Sequence, residues 1–301
     1  MKVPGLFVDA GYWLGWNALW TMPAPVAHRI FDGLARSAWR RRTRGIQQLE
    51  LNLSRVMDCD VNDPRIRALS LETMRSYMRY YCETFLLPRW SDDELIGKVR
   101  AVNVEPIEAA MASGGVILTL PHTGNWDHAG AWAALHFGSL ATVAERLRPE
   151  GVFQKFLAMR TGRGMTLMPL TGQGGIYEFL RDEVNQGHLV ALLGDRDVAK
   201  NGMGNQFFGH RASLPIGAAV LAIDTGRPLF TCSPWYDGDE LVITFDEEVT
   251  FDRAPVFGRD RLRKAQEISS TVITRFEGHI RAHPTSWHQL QPIWPDLIAA
   301  Q

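Results

Sequence analysis

A chain of 301 residues, 46% hydrophobic and 22% charged, is long enough for one large α/β domain or one domain with a helical extension, and is too apolar for a disordered protein. A net charge of -1 argues against a protein wrapped around nucleic acid, so no nucleic-acid partner is expected. Three widely spaced cysteines, Cys59, Cys82 and Cys232, form no disulfide framework or zinc ribbon and fit a reduced, cytosol-facing environment.

In chain order, 6–20 carries helical periodicity, with Trp13, Trp16 and Trp20 on one face and a basic cluster downstream at Arg36, Arg40, Arg41, Arg42 and Arg44. The stretch is too short and polar to span a membrane and lacks the apolar centre of a signal peptide. Tryptophans beside arginines suit a helix lying in an anionic membrane interface; an amphipathic helix packed on the core would read the same way. Helical patterns continue at 25–42, 45–57, 64–86 and 91–100, making residues 1–100 a helical N-terminal portion.

Alternation begins after that. Strand-like segments at 115–121, 140–144, 165–170, 188–194, 228–235 and 241–247 are separated by helical patterns at 124–137, 150–161, 174–186 and 214–225, with a long helix at 259–282. Such alternation implies an α/β fold with a largely parallel central sheet and helices on both faces. Asp237-Gly238-Asp239 is a hairpin signal that makes the last two strands an antiparallel edge. Residues 101–301 thus form an α/β core, integrated with the N-terminal helices into one domain.

The most informative stretch runs from Gly115 to Asp127: an apolar strand ends in His122, and Asp127 follows in the first turn of the next helix. That places an imidazole and a carboxylate at the carboxyl edge of the sheet, where open α/β sheets bind ligands. The pair is the minimum apparatus for deprotonating a hydroxyl near neutral pH, although a packed histidine beside a helix-capping aspartate would look alike. Asp195-Arg196-Asp197 and Glu145-Arg146 end other strands at the same edge, and Arg160 lies one helix further on. Three arginines there suit a phosphate-bearing ligand; structural ion pairs would use the same residues. The loop from Asn205 to Arg211, with Phe207 and Phe208, either lines a lipid channel or closes the sheet.

Rival chemistries find less support. No G-x-S-x-G elbow, P-loop or HExxH is present, and His279 and His283 read as a surface pair rather than zinc ligands. Gly172-Gln173-Gly174-Gly175 with Asp195 begins a dinucleotide fingerprint, but Tyr177 fills its third glycine position.

Taken together, these blocks resemble the lipid A biosynthesis acyltransferase family, and within it the actinobacterial phosphatidylinositol mannoside acyltransferases. The likeness runs through Leu120-Pro121-His122-Thr123-Gly124-Asn125-Trp126-Asp127, then Thr142 to Glu150, Asp195-Arg196-Asp197, Phe207-Phe208-Gly209, and the closing run from His283 to Pro292. It covers nearly the whole chain and is more specific than a lone H-x4-D, which other glycerolipid acyltransferases also carry.

The resemblance implies transfer of a fatty acyl group, usually palmitoyl, from acyl-CoA to a mannose hydroxyl of a phosphatidylinositol mannoside or a related glycolipid, by a protein held peripherally on the cytoplasmic face of the plasma membrane. By position, His122 is the implied general base and Asp127 its partner. Asp195 stands where the mannoside acyltransferases place a glutamate that contacts the histidine, so the orienting carboxylate is open between Asp127 and Asp195. Glu145 and Arg160 align with the family's polar sugar and phosphate region. Asn125, Arg146, Arg196, Phe207, Phe208 and Arg211 complete the expected substrate contacts. Neither an acyl-enzyme nor a cofactor or metal is expected. Backbone amides of Thr123-Gly124-Asn125 are the candidate oxyanion donors, and an apolar groove should hold the acyl chain. A non-catalytic lipid-binding relative is the alternative.

Overall fold

The computed structural model describes residues 21–146, 150–170, 174–198 and 200–299; the tryptophan-bearing helix expected over 6–20 lies outside them. Three helices open the described chain: α1 (Ala24–Arg40), α2 (Arg44–Val56) and α3 (Pro64–Leu86). Asp63 caps α3 through its side chain, with Pro64 at the first helical position, where a missing N–H costs nothing.

The segment expected to be helical over 91–100 divides. A capping box at Ser91 and Glu94 starts α4 (Asp92–Gly97), and the chain then extends as β1 (Val99–Val102). β1 was not expected: its four residues carry little pattern of their own, and its partner β9 lies far along the chain. A further unexpected helix, α5 (Glu105–Ser113), leads into the core alternation. That core is β2 (Val116–Leu120), α6 (Trp126–Phe137), β3 (Leu140–Glu145), α7 (Glu150–Thr161), β4 (Met165–Leu170), α8 (Ile176–Asn185) and β5 (Leu189–Leu193). After it come β6 (Met203–Phe207), β7 (His210–Leu214), α9 (Gly217–Thr225), β8 (Leu229–Asp237), β9 (Glu240–Phe245) and α10 (Gly258–Ala282).

Seven strands form one sheet in the order β1-β9-β8-β2-β5-β3-β4, mostly parallel, with β8 and β9 joined as the expected antiparallel hairpin. β1 pairs outside β9 and is the edge strand on that side. β2 is central and buried on both faces, as its run of apolar residues, broken only by Thr119, requires. Its side chains alternate: Ile117 packs with α8, α9 and α10 on one face, while Val116, Leu118 and Leu120 pack with α4, α5, α6 and α7 on the other.

The segment read as a loop at 205–211 is a hairpin of β6 and β7, turned at Phe208 and Gly209, both with positive φ. A phenylalanine in this conformation is strained. The Phe208 N–H donates to Glu277 Oε1 at 2.5 Å, and the ring packs against Phe207 and Trp287, contacts that hold it there. The N-terminal helices also clasp the end of the chain: Asn52 Nδ2 donates to the Gln289 and Gln291 carbonyls, and Gln48 Nε2 to that of Leu297.

Candidate active site

β2 and β5 leave the sheet at the same edge. Leu120 pairs with Leu193, so the residues two steps further along each chain, His122 and Asp195, emerge side by side. Gly194 permits the approach: its N–H donates to the Leu120 carbonyl at 2.9 Å, and a Cβ there would meet Thr119 Oγ1 at 2.6 Å. Gly124, with φ of 53°, is required for a similar reason, since a Cβ would lie 2.6 Å from the Pro234 carbonyl oxygen.

Asp195 is fully buried and accepts hydrogen bonds from His122 Nδ1 at 2.5 Å, the His122 backbone N–H at 3.0 Å and Trp287 Nε1 at 2.8 Å. Burial by itself would raise its carboxyl pKa. The neighbouring His122 and these donors outweigh that, and the group is held below the ordinary carboxylate value. An ionised carboxylate only accepts, so the His122 proton sits on Nδ1 and Nε2 is left as the basic nitrogen. The Trp126 ring stands edge-on to His122, with centroids 5.3 Å apart.

Asp127 does not orient His122. At the start of α6 it faces α3 and α7, where Oδ2 accepts from Tyr80 O–H at 2.8 Å and Oδ1 from Arg160 Nε at 2.6 Å. Desolvation opposes the buried Arg160 charge, but Asp127 more than offsets it and raises the guanidinium pKa. Burial and the same aspartate push the Tyr80 phenol well above its usual value. This cluster ties the N-terminal helices to the sheet edge.

The other expected residues divide. Glu145 and Arg196 pair with each other at the edge, and Arg146 pairs with Glu150 at the surface, 3.0 Å away. Each guanidinium already has a carboxylate, so the arginines do not form a bare phosphate cradle. Asn125 is buried: Oδ1 caps α6 by accepting from the His128 N–H, and Nδ2 donates to Glu83 Oε2. Phe207 and Phe208 belong to an aromatic core with Trp287 and Trp294 behind Asp195, and Arg211 is exposed on the hairpin. The expected oxyanion donors are largely spent, because Thr123 N–H donates to the Pro121 carbonyl at 2.8 Å and Gly124 N–H to that of Ser286 at 2.9 Å. Asp195 serves His122 and so is not free for a ribose, and Tyr177 O–H bonds Asp224. Among the described residues no group of three or more His, Cys, Asp or Glu is placed to hold a metal.

Sequence reading passed over Tyr80, Glu83, Trp287 and His288 as site residues. The last two lay in the closing segment, whose backbone pairs with the site: the His288 N–H donates to the His122 carbonyl at 2.9 Å, and Thr123 bridges Trp287. His288 Nε2 bonds Ser76 Oγ at 2.8 Å, and burial, with His122 nearby, pushes its pKa down to about 3. Tyr80 and Glu83 sit in a long helix without any motif.

Beneath α6, along the inner face of the sheet, lies a narrow apolar cavity of about 80 Å³. Trp126, Asp127 and Arg160 stand near its His122 end, and the rest is lined by apolar or small side chains such as Leu118, Ala133 and Phe245. A histidine whose Nδ1 is locked by a buried aspartate, beside an apolar cavity, has the parts needed to move an acyl group onto a hydroxyl.

The chain belongs to the bacterial lipid A biosynthesis acyltransferase family, whose model matches residues 1–295. It is 34% identical to the phosphatidylinositol mannoside acyltransferase of Mycolicibacterium smegmatis over 295 residues, covering 96% of this chain and 92% of the relative. It is 33% identical to that of Mycobacterium tuberculosis over 293 residues, covering 95% and 88%. A solved 1-acyl-sn-glycerophosphate acyltransferase from Thermotoga maritima aligns at a TM-score of 0.38 and 14% identity, over 80% of this chain and 97% of that one, too weak a likeness to carry weight.

Proposed function

We propose that this chain transfers a fatty acyl group, palmitoyl as the reference donor, from acyl-CoA to a mannose hydroxyl of a phosphatidylinositol mannoside. The observation that carries the reading is the His122 Nδ1–Asp195 Oδ1 hydrogen bond, which leaves Nε2 as the ring nitrogen that does not face the carboxylate; the names of the relatives supply the acceptor. His122 Nε2 takes the hydroxyl proton as the oxygen attacks the thioester carbonyl, and Asp195 stabilises the imidazolium. The carbon–sulfur bond then breaks, and the departing thiolate takes that proton.

The acyl chain lies in the cavity, where each buried methylene contributes about 0.8 kcal/mol. Cys232, the cysteine lining it, is a poor nucleophile because burial pushes its thiol pKa far up, which supports direct transfer without an acyl-enzyme. Glu145, Arg196 and the half-buried Tyr77 form the polar side that meets the sugar. Among the described residues no helix is long and apolar enough to cross a membrane. α1, however, exposes Val26, Ile30 and Leu34 at four-residue spacing, 42%, 43% and 51% accessible, beside the exposed Arg29. That stripe suits peripheral contact with an anionic lipid surface.

Free thiol release from palmitoyl-CoA, with and without phosphatidylinositol mannoside, tests the reading in wild type and His122→Ala. Acceptor-stimulated release that disappears in the variant is the expected result. Stimulation that survives at near wild-type rate refutes His122 as the base, and release indifferent to the acceptor refutes the mannoside.

A further inference from the structure

His122 and Asp195 stand past Leu120 and Leu193, the last paired residues of β2 and β5, so strand pairing does not fix their side chains. The closing segment meets them there with three consecutive residues. The Ser286 carbonyl accepts from the Gly124 N–H at 2.9 Å, Trp287 bridges Thr123 and reaches Asp195 with its indole, and the His288 N–H donates to the His122 carbonyl at 2.9 Å.

The χ2 torsion of an aspartate is broad and roughly two-fold, so a carboxylate swings readily about it unless its oxygens are held. Two of the three donors on Asp195 belong to His122 itself: the backbone N–H on Oδ2 and Nδ1 on Oδ1. Bonds from one residue cannot anchor the carboxylate independently of that residue. The Trp287 Nε1–H, 2.8 Å from Oδ2, is the donor that comes from elsewhere, and a bond to an ionised oxygen is of the stronger, charge-assisted kind. The indole is fully buried and packed in place by Phe207, Phe208 and Trp294, with ring centroids 6.1, 6.3 and 6.3 Å away. Once Oδ2 is held by an N–H that cannot move, Oδ1 is aimed at His122 Nδ1 and the imidazole is fixed in turn.

We infer that Trp287 is a positioning residue for acyl transfer: its indole N–H fixes the Asp195 carboxylate and, through it, the ring of His122. The inference rests on the acyl-transfer reading and deepens it, since Trp287 is buried behind the pair and acts through Asp195 rather than on a substrate.

The test measures kcat and both KM values for acceptor-dependent thiol release from palmitoyl-CoA in wild type, Trp287→Phe, Asp195→Asn and the double variant. A misplacement of about 1 Å can cost ~10²-fold, so Trp287→Phe should lower kcat by roughly 10- to 100-fold with both KM values within about twofold of wild type. In the Asp195→Asn background, where the carboxylate is already gone, the same substitution should cost no more than about twofold further. A tryptophan that only filled the core would give losses that multiply in the double variant, and that result overturns the assignment. So does a Trp287→Phe protein whose kcat stays within about threefold of wild type, or whose loss lies in KM. If Trp287→Phe fails to fold, as judged by a thermal melt, Trp287→benzothienylalanine decides by the same criteria, because it keeps the fused rings and puts sulfur in place of the N–H. Transfer that needs His122 but not the Trp287 N–H refutes this assignment alone. A wild-type protein that transfers no palmitoyl group to the acceptor refutes the acyl-transfer reading itself, and the assignment falls with it.

Discussion

Asparagine at position 195 should stop acyl transfer while leaving the fold standing. Three N–H groups point at the Asp195 carboxylate, two toward Oδ2 (His122 N and Trp287 Nε1) and one toward Oδ1 (His122 Nδ1). The backbone and indole protons cannot move, so the single amide oxygen of asparagine must face them and its NH2 must face His122 Nδ1. The imidazole then accepts at Nδ1 and carries its proton on Nε2, the nitrogen that has to take the substrate proton. General-base assistance is worth roughly 10²–10⁴-fold, and a locked wrong tautomer places the loss at the upper end, about 10³–10⁴ in kcat, or about 4–5.5 kcal/mol of barrier. Every donor keeps a partner, so the stability change should stay within about 2 kcal/mol. The assay is acceptor-dependent thiol release together with a thermal melt of the same preparation. A variant that folds normally and keeps kcat within about tenfold of wild type would refute the tautomer argument.

Three other expectations follow from the same geometry. Asp127→Ala leaves Arg160 buried without its counter-charge, which costs about 3–5 kcal/mol and should lower Tm by about 6 °C or more; a fall under about 2 °C would show that Arg160 does not depend on it. His288 is held neutral, its pKa pushed down to about 3 from the ordinary 6.5, so the unfolded chain takes up a proton that the native protein refuses as pH falls. Stability should therefore decline from about pH 6.5 toward pH 3, and less steeply in His288→Gln; His128 and His283 titrate in the same direction, so the slope is reduced rather than abolished. An unchanged slope in melts across that range would remove His288 from the account. Finally, replacing Val26, Ile30 and Leu34 together by serine should weaken co-sedimentation with vesicles containing anionic lipid without changing Tm, and unchanged sedimentation would exclude α1 as the contact face.

Much of the fold was legible because its signals are local. The helices at 64–86 and 150–161 and the strand at 165–170 coincide with α3, α7 and β4, each marked by periodicity within its own residues. β1 and the β6–β7 hairpin were not legible. The first is four residues whose partner comes far later in the chain, and the second turns on Phe208, which adopts positive φ only because Glu277 and the surrounding aromatic rings hold it. Asn125, Phe207 and Phe208 have residue types that suit a ligand, but burial assigned them to a helix cap and an aromatic core.

The sequence by itself determined that a histidine stands at the carboxyl end of a buried parallel strand, because a run of apolar residues broken only by Thr119 must be buried on both faces and must end where the polar residues begin. It could not choose the histidine's carboxylate. Asp127 is near in the chain, but α6 turns its side chain toward Tyr80 and Arg160; Asp195 is far in the chain, and the β2–β5 register brings it alongside. Strand order is settled by how all the layers pack together, and no local pattern encodes it. The same holds for the cavity, which exists only once α6 is laid across five other strands of the sheet as well as β2.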